Sequence, residues 1–296
     1  MSNNLKLVIV LISGMVLASC GGSGTTQNAV EQPIEDTSAI RQAAGGEPLN
    51  LSTSEISKEI KNLQSSSTKL LATNLFFPDI IFRFDCSGAK CDVPLTGETV
   101  YISDGDPSAI NFESVMTRNG IKVAQGVGNF LFEDDSSEEQ QVYGGWMNHG
   151  YFFVVHRQRG FEGDDSIFDY DLVYGFAIGE SSGSVPSAGS ATWNGVMVGA
   201  DLQRWEGLQG DAILLADFQN RNMNLEFKNI RNLISGAIRN DFAFNNVPFT
   251  SDGFSQGSWG DDSRIAGTFY GTDHKEVGGM FEYEETIVGS FGAIRE

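Results

Sequence analysis

The sequence predicts an all-β protein that ends in an eight-stranded antiparallel, soluble β-barrel, preceded by a second β-rich domain. Three observations predict this fold. Apolar and polar residues alternate through most of the second half of the chain, which is typical of strands with one buried face. Turn-length gaps separate the alternating segments. Finally, the pattern aliphatic-x-Gly-x-Phe occurs three times near the end, at 265–269, 277–281 and 287–291.

The N-terminus predicts export and lipid attachment. Residues 1–19 carry one charge, Lys6, then an apolar run too short to span a bilayer, as in a secretory signal peptide. The run closes with Leu-Ala-Ser-Cys, which resembles a bacterial lipobox and makes Cys20 the predicted lipid anchor. Gly21 after the anchor favours the outer membrane, so outer-membrane lipid is the first predicted partner. An uncleaved signal anchor with an incidental cysteine is the alternative.

The net charge limits the possible partners. The chain carries −20, and loss of residues 1–19 removes one lysine and no acid, which leaves −21. Nucleic acid is therefore excluded as a partner, because binding a polyanion depends on Lys and Arg. Solubility alone explains such a charge, and a basic protein or cationic ligand is the alternative. The acidic runs lack the spacing of a calcium loop, and we predict no metal and no cofactor.

The first part of the chain is predicted to comprise a tether and a β-rich domain. Residues 20–50 are rich in Gly, Ser, Thr and Gln and form the expected flexible tether. The domain covers 51–188 and starts with a short helix after the capping box at 52–55. Asn119-Gly120 predicts a hairpin turn. Cys86 and Cys91 flank a Ser-Gly turn, and in an oxidising compartment we predict a disulfide between them.

The barrel is predicted over 189–296. An eight-stranded barrel is just wide enough for side chains to fill it, and large rings fit only beside small neighbours. Gly next to Phe is therefore predicted to be a packing pattern. One of the eight strands is placed at 234–238, where Ile234, Gly236 and Ile238 alternate. The predicted barrel packing residues are Trp193, Phe218, Phe227, Phe249, Gly267, Phe269, Gly279, Phe281, Gly289 and Phe291. The opposite face is expected to be solvated through Asp211, Asp217, Glu226, Lys228, Thr268, Tyr270, Glu276 and Glu282.

A filled barrel has no internal cup for a small ligand, so recognition is expected on loops and the outer surface. Arg204, Trp205 and Trp259 stand in loop-like contexts and are the candidate binding residues, because interfaces favour such side chains. The alternative is that they are caps that close the ends of the barrel.

Catalytic patterns are weak, and we predict a protein that is not an enzyme. The segment 179–183 matches Gly-x-Ser-x-Gly, but that motif requires a following helix, and Ser-Val-Pro-Ser follows. His149, His156 and His274 are scattered and lack metal-ligand spacing. No catalytic residue is predicted.

The closing segment, at 264–296, resembles the transferrin-binding protein B-like surface lipoproteins. The resemblance rests on Phe-Tyr-Gly at 269–271, Glu-Val-Gly-Gly-Met-Phe at 276–281 and Gly-Ser-Phe-Gly-Ala at 289–293, and it extends over 189–296. It implies a β-rich handle domain before the barrel, outer-membrane anchoring with exposure at the cell surface, and capture of a host protein. Unlike transferrin-binding protein B, the chain holds one handle and barrel unit rather than two.

Two functions follow from these observations. The first is a surface lipoprotein that binds a protein or a nutrient-bearing complex through loops outside the filled barrel. The second is a structural or adhesive envelope lipoprotein without a dedicated solute.

Overall fold

A computed structural model describes residues 46–73, 81–87, 90–92, 99–101, 110–131, 137–157, 172–181, 185–204, 206–251, 253–258 and 261–296. The predicted signal peptide, Cys20 and most of the predicted tether lie outside these residues.

The helix α1 spans Thr53–Ser66 and begins at the predicted capping box. Ser52 caps it: its side chain accepts a hydrogen bond from Glu55 N, while Glu55 Oε2 accepts one from Ser52 N at 2.8 Å. Ile56 and Ile60 lie one turn apart and are buried, which fixes the face that packs on the neighbouring sheet. In the described part of the chain, no helix is both long and apolar enough to cross a membrane.

The first ten strands form one antiparallel sheet, which we call the handle sheet. Its order is β1-β6-β7-β8-β9-β10-β2-β3-β4-β5. The strands are β1 Glu47–Pro48, β2 Lys69–Thr73, β3 Ile81–Ser87, β4 Lys90–Asp92, β5 Thr99–Tyr101, β6 Ile110–Arg118, β7 Ile121–Leu131, β8 Ser137–Trp146, β9 Gly150–Arg157 and β10 Leu172–Gly179.

At β9 the handle sheet is covered on both faces. Strand β9 is continuously apolar, and its side chains alternate between two clusters: Phe152 and Val154 join one, and Phe153 and Val155 the other. Helix α1 belongs to the second cluster. The first contains residues of the C-terminal strands. The handle sheet is therefore the middle layer between α1 and the barrel.

The predicted hairpin turn at Asn119-Gly120 joins β6 to β7. Both residues have positive φ, 50° and 76°, as the tight two-residue turn requires. The turn lies against the barrel: Asn119 Nδ2 donates to Gly195 O at 2.8 Å, and Arg118 Nε donates to Asp211 Oδ1 at 2.9 Å.

The last eight strands close into an antiparallel barrel, in which β11 pairs with both β12 and β18. The predicted fold class, an all-β chain with an eight-stranded barrel, is confirmed. The strands are β11 Ser190–Asp201, β12 Glu206–Asp217, β13 Asn222–Asn232, β14 Phe242–Thr250, β15 Gly253–Gln256, β16 Arg264–Tyr270, β17 Glu276–Tyr283 and β18 Ile287–Arg295.

One predicted strand is wrong. The segment 234–238 is a turn followed by a single bridge between Arg231 and Ile238. The Asn232 side chain accepts hydrogen bonds from the backbone N–H of Ile234 and Ser235, both at 2.7 Å, which turns the chain out of the ladder. The eighth strand is instead β15, which has only four residues and pairs with both β14 and β16.

The expectation of a solvated outer face holds for only part of the barrel. On β12 and β13, Asp211, Asp217, Glu226 and Lys228 are partly exposed. On β16 and β17 it is wrong, because these strands pack against the handle sheet. The outer residues buried there are Thr268, Tyr270, Glu276 and Glu282.

Candidate functional site

The barrel interior is a continuous column of aromatic rings. Near one end, the Trp193 ring lies 5.7 Å from Phe269 between ring centroids. The column continues through Phe254, which lies 6.1 Å from Phe269 and 6.4 Å from Phe291. Phe291 lies 5.4 Å from the next ring, Phe227. The described side chains therefore fill the barrel, which places any binding chemistry outside it.

Glycine makes room for these rings on the neighbouring strand. Phe254 lies directly across from Gly267, and a Cβ atom on Gly267 would stand 2.0 Å from the Phe254 ring. Two other pairs repeat this arrangement: Phe281 covers Gly289, and Phe291 covers Gly279. The structure places all ten predicted barrel packing residues in the buried interior.

One end of the barrel is closed by packed rings. Phe218 lies 5.9 Å from Phe249 and 6.3 Å from Trp193. Trp193 Nε1 donates to the backbone oxygen of His274 at 2.8 Å, which fixes the turn between β16 and β17 over these rings. The His274 ring itself is buried against Phe269. This end of the barrel is therefore closed by buried, packed side chains.

The opposite end, which we call the loop end, carries the connections that follow β11, β13, β15 and β17, described at 202–204, 233–241, 257–258, 261–263 and 284–286. Antiparallel pairing brings them together, and hydrogen bonds link them. Leu202 N donates to Thr286 O at 2.7 Å, and Glu285 N donates to Asp262 O at 3.0 Å. An ion pair of 2.6 Å joins Arg239 to Asp201. The loop end is therefore a connected rim around the barrel mouth.

The rim is rich in acids. Glu284 and Glu285 form the turn between β17 and β18 with φ of 49° and 52°, the left-handed backbone that usually favours Asn-Gly. Burial raises the pKa of the neighbouring Tyr283, and its contact with Glu284 adds to this effect. The exposed acids of the described rim are Asp241, Asp261, Asp262, Glu284 and Glu285.

Arg204, one of the three candidate binding residues, lies on this rim. Its side chain is 56% exposed, with Nη1 3.4 Å from the carboxylate of Asp201. Trp205 and Trp259 lie outside the described residues. Their described neighbours, Glu206 and Ser258, both belong to the loop end. Of the three candidates, the structure therefore places Arg204 on the rim.

The cysteine predictions are not resolved by the structure. Cys20 lies outside the described residues. Cys86 on β3 and Cys91 on β4 are directly opposite each other in register, although the structure describes only their backbone. Their pairing stays a prediction.

The histidines and the Gly-x-Ser-x-Gly segment are dispersed. His149 Nδ1 lies 3.5 Å from Glu180 Oε2 at the surface, whereas His156 is buried in the handle sheet. Ser181 N donates to Thr68 Oγ1 at 2.7 Å, in a bridge rather than before a helix. Within the described ranges, no group of three or more His, Cys, Asp or Glu side chains could hold a metal ion.

Glu276 joins the barrel to the handle sheet. Its carboxylate accepts hydrogen bonds from the backbone N–H groups of Asn148 and His149, each at 2.8 Å. Burial raises the pKa of Glu276, and these hydrogen bonds oppose the shift. The Glu276 carboxylate on β17 thus links the barrel to the turn between β8 and β9 of the handle sheet.

The sequence reasoning missed two residues of the loop end. Ile234 and Ile238 were assigned to the interior face of a strand, but they are 52% and 70% exposed. The available signal was Ser235-Gly236 directly after Asn232, since Asn, Ser and Gly cluster in turns.

Comparisons with known proteins identify the kind of barrel. Residues 185–295 match the family described as C-lobe and N-lobe beta barrels of Tf-binding protein B, which confirms the resemblance over the barrel. A search of curated proteins found no significant match.

Several solved structures also match this chain at low sequence identity. A transferrin binding protein B from Haemophilus parasuis is 12% identical, with a TM-score of 0.43, over 76% of this chain and 44% of that chain. The protein from serogroup B Neisseria meningitidis is 15% identical, with a TM-score of 0.41, over 77% and 43%. A protein described as a surface lipoprotein is 11% identical, with a TM-score of 0.36, over 78% and 99%. The chain spans less than half the length of these two transferrin binding proteins.

Proposed function

We propose that this chain is a surface lipoprotein of the outer membrane that binds an external protein or a nutrient-bearing complex. Its residues 185–295 match the barrel family of Tf-binding protein B. The matched family consists of binding-protein barrels, which supports a role in capture rather than catalysis.

The main support for this proposal is the filled interior of the barrel. Because Phe227, Phe254 and Phe291 occupy the barrel axis, a ligand meets only loops and outer wall. The wall at β16–β18 is buried under the handle sheet. The loop end remains accessible through Arg204 and its exposed acids, so we assign ligand capture to this end.

We assign the chain to the outer membrane on the basis of the proposed lipid attachment through Cys20. A thioether-linked diacylglycerol plus an amide-linked chain gives lasting anchorage, since two or more acyl chains are needed for stable membrane binding. In a Gram-negative host fed radiolabelled palmitate, the full chain should take up label and fractionate with the outer membrane. Cys20→Ala should lose both properties. Label retained by Cys20→Ala would place the lipid elsewhere or remove it from the proposal.

The proposed disulfide belongs to the same export route. Cys86 and Cys91 pair across adjacent strands, which suits a short bridge. Thiol titration of the denatured, unreduced mature protein should find neither thiol. Two reactive thiols would remove the bridge.

Capture is tested on intact cells. Cells that display the full chain are incubated with animal serum, washed, and analysed for retained proteins by mass spectrometry, with cells lacking the gene as control. Specific retention of a serum protein supports the receptor function. Protease shaving is run in parallel. A chain that resists shaving and retains nothing would instead be the structural or adhesive envelope lipoprotein of the second hypothesis.

A further inference from the structure

Two isoleucine side chains are exposed to solvent at the loop end. Ile234 is 52% exposed and Ile238 is 70% exposed, both on the connection between β13 and β14. The third large apolar side chain exposed in the described part of the chain, Leu215 at 48%, lies on the outer wall of β12 towards the closed end. Two of the three therefore share one loop.

Polar contacts fix this loop on both sides. Asn232 Oδ1 holds the N–H groups of Ile234 and Ser235, and Asn232 N donates to Ala237 O at 2.9 Å. On the other side, Arg239 pairs with Asp201 at 2.6 Å and with Glu206 at 3.4 Å. The loop is held in one shape, and this shape points the apolar residues to solvent instead of burying them.

The charges around the two isoleucines indicate which class of partner would bind there. Five exposed acids lie on the described rim, and Arg204 is the exposed base there. The whole chain has the same sign, with a net charge of −20. A second copy of the chain or an anionic lipid surface would be repelled, whereas a basic protein would be attracted and steered towards the rim.

We propose that the loop end docks a basic protein, with Ile234 and Ile238 entering an apolar recess of the partner and the acidic rim facing its basic residues. This inference rests on the proposed function and specifies its ligand class and contact residues. Apolar anchors at the centre of a contact, surrounded by a polar rim, are the usual anatomy of protein interfaces.

The test separates ligands by charge. Animal serum is divided by ion exchange at neutral pH into a basic and an acidic protein fraction, and each fraction is passed over the purified full chain immobilised in detergent. We expect a retained protein from the basic fraction, with retention that weakens as salt is raised because the attraction between exposed charges is screened.

Two matched variants test the contact. The double variant Ile234→Ser, Ile238→Ser should weaken retention by an order of magnitude or more, as expected for anchor residues. Leu215→Ser removes an apolar side chain that is 48% exposed and lies far from the loop end, and it should leave retention unchanged. Both variants should melt at the wild-type temperature, since exposed positions contribute little to stability.

A third variant tests the rim. Glu284→Gln with Glu285→Gln should slow association and flatten its salt dependence, with little change in the dissociation rate.

The outcomes are distinct. Retention from the acidic fraction alone, or undiminished retention by the isoleucine variant, would overturn the proposed docking surface while the binding function stands. Retention from neither fraction would remove the binding function itself, and this inference with it.

Discussion

The inner and outer faces of β16, β17 and β18 are both buried, but by different parts of the chain. Rings from within the barrel bury the inner face, where Phe254 covers Gly267 and Phe281 covers Gly289. The handle sheet buries the outer face, where the Phe152 ring of β9 lies over Gly292. The inner face is apolar except at the end of β18, where Arg295 lies 5.9 Å from the Trp193 ring. The outer face also carries charge, including Glu276 and the Arg264–Glu282 pair.

The inner and outer faces are therefore stabilised in different ways. Inner packing depends on shape, because rings and glycines on adjacent strands must match. Outer packing depends also on compensation of charge, because a buried carboxylate without a partner is costly. Inner changes should therefore act through steric strain, and outer changes through unpaired charge or loosened contact between the domains.

The largest effect is expected from breaking the buried ion pair. Arg264 and Glu282 are 4% and 3% exposed, so Arg264→Met removes the Arg264 cation from the buried Glu282 carboxylate. We expect a loss of about 3–5 kcal/mol in the free energy of unfolding, measured by urea denaturation. Adding Glu282→Gln to this variant should restore part of the loss. A single variant as stable as wild type would show that water reaches Glu282.

On the inner face, Gly279→Val should be the next most destabilising. A Cβ atom there would lie 2.4 Å from the backbone oxygen of Ala266 and 2.7 Å from the Phe291 ring, so the strand itself must move. Overpacking of this kind costs about 1–3 kcal/mol, visible as a lower melting temperature in calorimetry. Leu215→Val, at an exposed position, is the control. An unchanged melting temperature for Gly279→Val would argue against its inward packing.

On the outer face, Gly292→Val should act less strongly. Its added atoms meet side chains, the Phe152 ring at 2.3 Å and Met147 Cε at 2.9 Å, and these can move more easily than backbone. We expect about 1 kcal/mol, at the lower end of the overpacking range. Limited proteolysis should also cut between handle sheet and barrel faster than in wild type. Equal cleavage rates would mean that the interface absorbs the extra bulk.

The smallest effect is a pH dependence at Glu276. Because burial raises the folded-state pKa of this carboxyl above its ordinary value, its ionisation opposes folding. Wild type should therefore gain stability relative to Glu276→Gln as the pH falls through the raised pKa towards the ordinary one, and lose that gain as the pH rises. Urea melts of both proteins between neutral and mildly acidic pH measure the difference. A constant difference would contradict the raised pKa.

Some local features could be predicted because the sequence carries their complete signal. The capping box before α1 contains Ser52 and Glu55 within one turn, and Asn119-Gly120 contains both residues of its turn. The inner face of the last three strands could be predicted for the same reason, since alternation is visible within each strand.

Other features could not be predicted because they depend on distant residues. Ile234, Gly236 and Ile238 alternate like a strand, and only the Asn232 cap and the Arg239 ion pairs show that they form a loop. Strand β15 is too short for alternation to mark it. The candidate surface was therefore located only in part, through Arg204, while its two exposed isoleucines were assigned to the core.

The sequence by itself determined that the chain is all-β, that it ends in an antiparallel barrel, and that glycines and phenyl rings share the barrel interior. These are local properties, set by side-chain period and size. Only the tertiary structure decided which stretch of the outer wall is covered and which loops meet at the loop end. Glutamate is partly exposed on β13, at Glu226, but buried on β17, at Glu276, because the handle sheet docks on one side of the barrel. This docking joins residues more than a hundred positions apart, such as Asn148 and Glu276.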